Sequence, residues 1–278
     1  MQLRLRSPSS IPLIELVLPA LDRTFRERTT PLPHWSIAGG QALALWIDHR
    51  STQDLEIAVA GIPPNEFSPS RNPAVGLIGN SHRWLRNMLI VESAAGQVAF
   101  RSMSAFTNPA LAWVAYDGRK IAVETPEEII VHTIRFRAAY FSEVDAFDLS
   151  ATGRAVPGLA NTMARQLEDR LEDLRDALCH LSRKGTVPAA VKPTRAFADL
   201  PDMVLDECLA LVDRAIELAE RWRSYRQAIA SSALAGHTVS IRASALMERY
   251  ASGEIDAEEY ACLVQQFAQA ARSRDDGP

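Results

Sequence analysis

The sequence predicts an α+β fold: a small mixed β-sheet with flanking helices, followed by an all-α C-terminal region. Three observations predict it. The glycine pair Gly39-Gly40 stands between a strand-like Trp35-Ser36-Ile37 and a short apolar helix, Ala42–Ile47, and the strand Leu55–Val59 follows. Two hairpins come next, one turning at Ser93–Gly96 and one at Asp117-Gly118. Near residue 155 the strand signals stop and only helical patterns remain.

In chain order, Ile14, Leu18 and Leu21 sit at helical spacing within residues 10–30, and Thr29–Pro33 ends that helix. Apolar and polar positions alternate over Asp54–Val59, which predicts a half-buried strand. Residues 61–75 hold four prolines and read as loop. Ser81–Asn87 is polar and fits no period. Met88–Glu92 pairs with Gln97–Met103, and Trp113–Tyr116 with Lys120–Val123. Thr125-Pro126-Glu127-Glu128 carries an N-cap, a first-turn proline and first-turn acids, so a helix runs from there to about Tyr140. Ser142-Glu143-Val144-Asp145 begins another. Beyond Gly158 the helical stretches are 161–183, 200–234, 241–250 and 256–272, with a linker at 185–193. The expected organisation is residues 1–155, 156–235 and 236–278: an α/β domain, a helical domain, and a C-terminal helical hairpin with a tail.

Composition narrows the function classes. The 278 residues are 47% hydrophobic and 23% charged, as in a globular protein, and the net charge of −4 provides no global field for nucleic acid. Cys179, Cys208 and Cys262 are far apart and form no metal or disulfide pattern, which fits a reducing cytoplasm. Leu13–Leu18 is too short for a signal core or a membrane span, so a cytoplasmic protein without membrane contact is expected.

The chemistry-bearing stretch is Gly39–Val59. Asp54 and Glu56 lie two apart on a strand, so their side chains leave one face with Cα atoms ~6.7 Å apart. Two carboxylates at that spacing suit a hard divalent ion, Mg²⁺ or Mn²⁺, shared with substrate phosphates. Gly39-Gly40 lets backbone approach a phosphate, with the N–H groups of the following helix aimed at it. Arg50 and Ser51, on the intervening loop, are placed to meet phosphate oxygens. An acidic solvent-facing strand after a tight turn is the plainer alternative.

The pattern Gly39-Gly40-x-Ala42-Leu43-x-Leu45…His49-Arg50-x-x-x-Asp54-Leu55-Glu56 resembles the opening motif of AbiEii/AbiGii-type nucleotidyltransferases, in the DNA polymerase β-like superfamily. Glu124–Ile130 with Arg135-Phe136-Arg137, and Asp145–Leu149, are similar to the family's later helical motif. The resemblance spans about residues 33–150. It implies a nucleotidyltransferase-like fold and metal-dependent transfer of a nucleoside monophosphate from an NTP to an acceptor such as a tRNA end. It also implies a toxin–antitoxin or phage-defence setting with a cognate antitoxin protein. Asp54 and Glu56 would be the catalytic and metal-binding residues; Gly39, Gly40, Arg50, Ser51 and His132 would bind the nucleotide.

The chain departs from that pattern where chemistry is concentrated. The residue after the glycine pair, usually a small hydroxyl residue, is Gln41, and the second strand acid is Glu56. The third carboxylate falls at Ala99, and no Asp or Glu occurs between Gln97 and Tyr116; Glu92 is the nearest substitute. The helix lysine is replaced by His132 or Thr133, and a later basic residue by Val144. These losses raise a second expectation: a catalytically inactive module acting by nucleotide, RNA or protein binding.

Elsewhere, Arg135 and Arg137 flank Phe136, a pattern that fits RNA contact or a solvated helix face. Leu167, Leu171, Leu174, Leu178 and Leu181 form a seam that would dock on another helix or on a partner.

Overall fold

The computed structural model describes residues 11–25, 33–79, 81–85, 87–184 and 191–275. The expected helix over 10–30 is α1, Ile11–Phe25; residue 10, residues 26–30 and most of the linker at 185–193 lie outside the described residues.

Seven strands form one mixed sheet: β1 (Trp35–Ala38), β2 (Leu55–Val59), β3 (Ser81–Leu85), β4 (Met88–Ser93), β5 (Gly96–Ser102), β6 (Leu111–Tyr116) and β7 (Arg119–Glu124). Their order is β3-β4-β5-β2-β1-β7-β6. β2 runs parallel to β5 and β1 parallel to β7; the other pairs are antiparallel. Local turn chemistry fixes both hairpins. Asp117 (φ 45°) and Gly118 (φ 73°) adopt the left-handed pair that a two-residue hairpin turn needs.

Two strands differ from the sequence expectation. β2 is not half-buried: Leu55, Ile57, Ala58 and Val59 are all buried, because it is a central strand and helix α2 (Gly39–Ile47) packs on it. Ser81–Leu85 is a strand despite lacking alternation. It is the edge strand, exposed at every position, so no buried face imposes a period of two.

Local capping places the next two helices. Thr125 caps α3 (Pro126–Arg137), its hydroxyl accepting from the Glu128 N–H. Ser142 and Asp145 form a reciprocal capping box at the start of α4 (Glu143–Ala155).

The C-terminal region is all helical: α5 (Leu159–Gln166), α6 (Leu171–Lys184), α7 (Val204–Leu234), α8 (Ile241–Ala251) and α9 (Ala257–Asp275). The expected helix over 161–183 is two helices, broken by a turn at Leu167–Arg170. The break lets Leu167, Leu171, Leu174 and Leu178 all be buried, and α6 lies along α7 of the same chain. Helix α7 has 31 residues and packs against α4, α5 and α6. Buried apolar side chains run continuously from Leu13 on α1 through the sheet to Ala251 on α8. Ile255 is buried beyond it, whereas Leu234 (90% exposed) and Ile241 (90%), where α7 gives way to α8, stand in solvent; α9 packs chiefly on α8. Cys179, Cys208 and Cys262 are unpaired. No helix among the described residues is long and apolar enough to cross a membrane.

Candidate functional site

β1 passes into α2 without a loop. Ala38 is still extended (φ −133°, ψ 178°) and supplies no side-chain cap, and Gly39 turns the chain at φ 62°. The first N–H groups of α2 therefore have no capping side chain. Side chains of the same chain press on both glycines. A Cβ on Gly39 would lie 2.7 Å from Oε2 of Glu56, and one on Gly40 would lie 2.4 Å from Nη2 of Arg50.

Glu56 projects from β2 beside Ala99 of β5, its partner in register. One step along, Ala58 pairs with Arg101, so Glu56 and Arg101 share a face of the sheet. Arg101 donates through Nε to Oε1 of Glu56 and through Nη2 to both carboxylate oxygens of Glu124, each at 2.6 Å. Its Nη1 donates to the Ser102 carbonyl at 3.2 Å. The Arg101 side chain is 2% exposed, Glu124 is 0% exposed and Glu56 is 27% exposed. Burial opposes the Arg101 charge, but attraction to Glu124 and Glu56 outweighs it and raises the guanidinium pKa further. Burial pushes Glu124 up to about 7 even though Arg101 pulls it down.

A second ion-pair group anchors the loop before β2. Asp148 of α4 accepts from Nε of Arg50 at 2.6 Å, from Nη2 of Arg50 at 2.8 Å and from Nε2 of His49 at 2.8 Å. Burial works against the Asp148 charge, but the hydrogen bonds from Arg50 and His49 prevail and hold its pKa below the usual carboxylate range. Arg50 thus reaches across Gly40 to Asp148. Asp145 is held by the capping box and by Arg137 at 2.8 Å.

The sequence-predicted residues divide between two adjoining hollows. A cavity of about 250 Å³ is lined by Gly39, Glu56, Arg101, Glu124, His132 and Phe136. The His132 ring lies tilted against Phe136, with centroids 4.7 Å apart, and burial, then the Arg101 charge, lowers its pKa to about 3, so the ring is neutral at pH 7. A groove of about 660 Å³ holds Gly40, Gln41, Arg50, Ser51, Asp54 and Lys192 among its walls and meets the cavity at Glu56 and Arg137. Asp54 is exposed and precedes the first residue of β2; Ser51 is exposed, and its N–H donates to the Lys192 carbonyl at 3.2 Å. Gln41 is 2% exposed, and its side-chain amide nitrogen has no hydrogen-bond partner among the described residues.

The donor set does not fit a shared divalent ion as the structure stands. One Glu56 oxygen accepts from a buried guanidinium, and the neighbouring position on β5 is an alanine. Among the described residues, no three His, Cys, Asp or Glu side chains cluster so as to hold a metal. Glu92 ion-pairs with Arg83 at the far end of β4. Sequence reasoning missed the pairing of Arg101 with Glu124. An arginine directly after the apolar run Val98-Ala99-Phe100 of β5 was its one signal, since a buried charge needs a partner.

A family model described as Antitoxin VbhA matches residues 221–265, covering the second half of α7, all of α8 and the first part of α9. No curated protein matches the chain. Two crystal structures of Helicobacter pylori proteins share features of the chain trace. One, proposed to be a nucleotidyltransferase, is 14% identical with a TM-score of 0.44, covering 78% of this chain and 98% of its own. The other, JHP933, is also 14% identical with a TM-score of 0.44, covering 80% of this chain and 98% of its own.

Proposed function

We propose that this chain is a nucleotidyltransferase-like module that binds a nucleotide in the groove at the start of α2 and does not transfer it. The observation that carries this reading is Arg101, buried and bonded to both Glu56 and Glu124. Nucleotidyl transfer of the kind the sequence motif implies needs carboxylates free to hold metal and to accept a proton from the incoming hydroxyl. Here one strand carboxylate is neutralised by an internal cation, and the next position in register, Ala99, has no acid. The binding half rests on the groove. Uncapped N–H groups of a nine-residue helix point to an anion, and the Gln41 amide is a donor without a partner. Ser51 and Lys192 add a hydroxyl and a cation on the same wall.

Equilibrium titration of each NTP onto the protein and onto Gln41→Leu tests it. Binding by the wild type that Gln41→Leu weakens is the expected result. Absence of binding for every NTP would sink the reading.

A second reading concerns the other end of the chain and rests on the antitoxin-family match to residues 221–265. That segment carries Leu234 and Ile241 in solvent where α7 gives way to α8, while Leu246, Ala251 and Ile255 are buried where α8 packs back on α7. It is the part of the chain that would engage a toxin protein, placing the whole chain in a toxin–antitoxin pair. Affinity purification of the chain, with and without residues 237–278, would retain an identifiable toxin on the full-length protein alone. Equal recovery with both forms would remove this role.

A further inference from the structure

We infer that the groove at the start of α2 takes its nucleotide as the metal-free polyphosphate, with Arg101 serving as a permanent internal cation where a divalent ion would otherwise neutralise the carboxylates. This rests on the nucleotide-binding reading above and adds what the ligand carries with it.

Four observations converge on it. Arg101 already occupies the space between Glu56 and Glu124: it is 2% exposed and donates to both acids. A divalent ion using Glu56 would have to displace that guanidinium and leave it buried with fewer partners. The second Glu56 oxygen lies over Gly39, 2.7 Å from where a Cβ would be. Ala99, beside Glu56 in register, offers no oxygen. What remains is Asp54, one exposed carboxylate outside the strand, the fewest carboxylates with which Mg²⁺ is held alongside substrate phosphates.

The chain supplies other donors for phosphate oxygens. The N-terminus of α2 bears a partial positive charge and has no capping side chain. Gln41 lines the groove, and its buried amide nitrogen is a donor with no partner among the described residues. Lys192 is exposed on the groove wall, and Ser51 adds a hydroxyl. Asp54 shares that groove, so without a metal its charge opposes the phosphates rather than bridging to them. Metal-dependent and metal-free binding therefore predict opposite effects for removing the Asp54 charge.

Calorimetric titration of ATP, GTP, CTP and UTP, each in EDTA and in excess Mg²⁺, with wild type and Asp54→Asn, tests this. Asp54 is exposed, so the variant is expected to fold; circular dichroism checks it. The expected result is binding in EDTA at least as tight as in Mg²⁺, and Asp54→Asn binding no more weakly than wild type. Binding that requires Mg²⁺, or that tightens by about tenfold (about 1.4 kcal/mol) when Mg²⁺ is added, overturns the inference while leaving nucleotide binding intact. Weakening by Asp54→Asn overturns it too. Absence of binding in both media overturns the inference and the underlying reading together.

Discussion

Between Gly39 and Glu56 there is no room for a methyl group: a Cβ on the first would stand 2.7 Å from Oε2 of the second. Gly39 is also at φ 62°, where other residues are strained. Gly39→Ala should therefore cost about 1–3 kcal/mol in backbone strain, plus whatever moving Glu56 against Arg101 adds. Gly40→Ala presses instead on the Arg50 guanidinium, which Asp148 holds in place. Denaturant titration should show both variants destabilised. Wild-type midpoints would mean that the glycines are not set by these side chains.

Arg101 and its two acids act as one unit. Arg101→Met leaves Glu124 buried without its cation, and breaking a buried pair from one side typically costs about 3–5 kcal/mol. Replacing the set together, Arg101→Met with Glu56→Gln and Glu124→Leu, removes the orphaned charge and should recover much of that loss. A single variant costing under about 1 kcal/mol would show that the guanidinium is not held as described.

Gln41→Leu separates stability from binding. The buried amide has an unpartnered nitrogen, and such a group costs roughly 1–3 kcal/mol. The leucine variant should be as stable as wild type or more so, while NTP affinity falls. A leucine variant that is less stable and binds equally well would make Gln41 a structural residue only.

Acid stability should depend on His132. Its folded pKa is about 3 against 6.5 for the free side chain, so between those values the unfolded chain binds more protons. Its stabilising contribution is present above pH 6.5 and is lost as pH falls toward 3; the loss is on the order of a few kcal/mol. Glu124 acts in the opposite sense. It is raised from 4.5 to about 7, so it favours the folded state as pH falls through that window. The two effects offset each other between about pH 4.5 and 6.5, and His132 dominates below. His132→Gln should flatten the loss of stability below about pH 4.5. An unchanged acid limb in urea titrations would contradict a neutral, half-buried His132.

What was legible in the sequence was mostly local. The Asp117-Gly118 turn, the Thr125 cap and the Ser142–Asp145 box each depend on residues within four positions, and each formed. The family resemblance put the missing third carboxylate at Ala99, and the register of β2 and β5 sets Ala99 beside Glu56. Long-range pairing was not legible. Arg101 meets Glu124 across 23 residues and Arg50 meets Asp148 across 98, and no spacing rule links them. The exposed edge strand β3 carried no alternation, and the break at Leu167–Arg170 was hidden inside a leucine pattern that continues through it. Asp54 and Glu56 were read as a pair, but one lies exposed before the strand and the other belongs to Arg101.

The measurement closest to the central claim is label transfer. Wild type and Asp54→Ala are incubated with each α-labelled NTP, Mg²⁺ or Mn²⁺, and total RNA. With Glu56 tied to Arg101 and alanine at position 99, neither protein should put label on RNA above background. Metal-dependent labelling by wild type that Asp54→Ala abolishes would contradict the account and make the cleft a working active site.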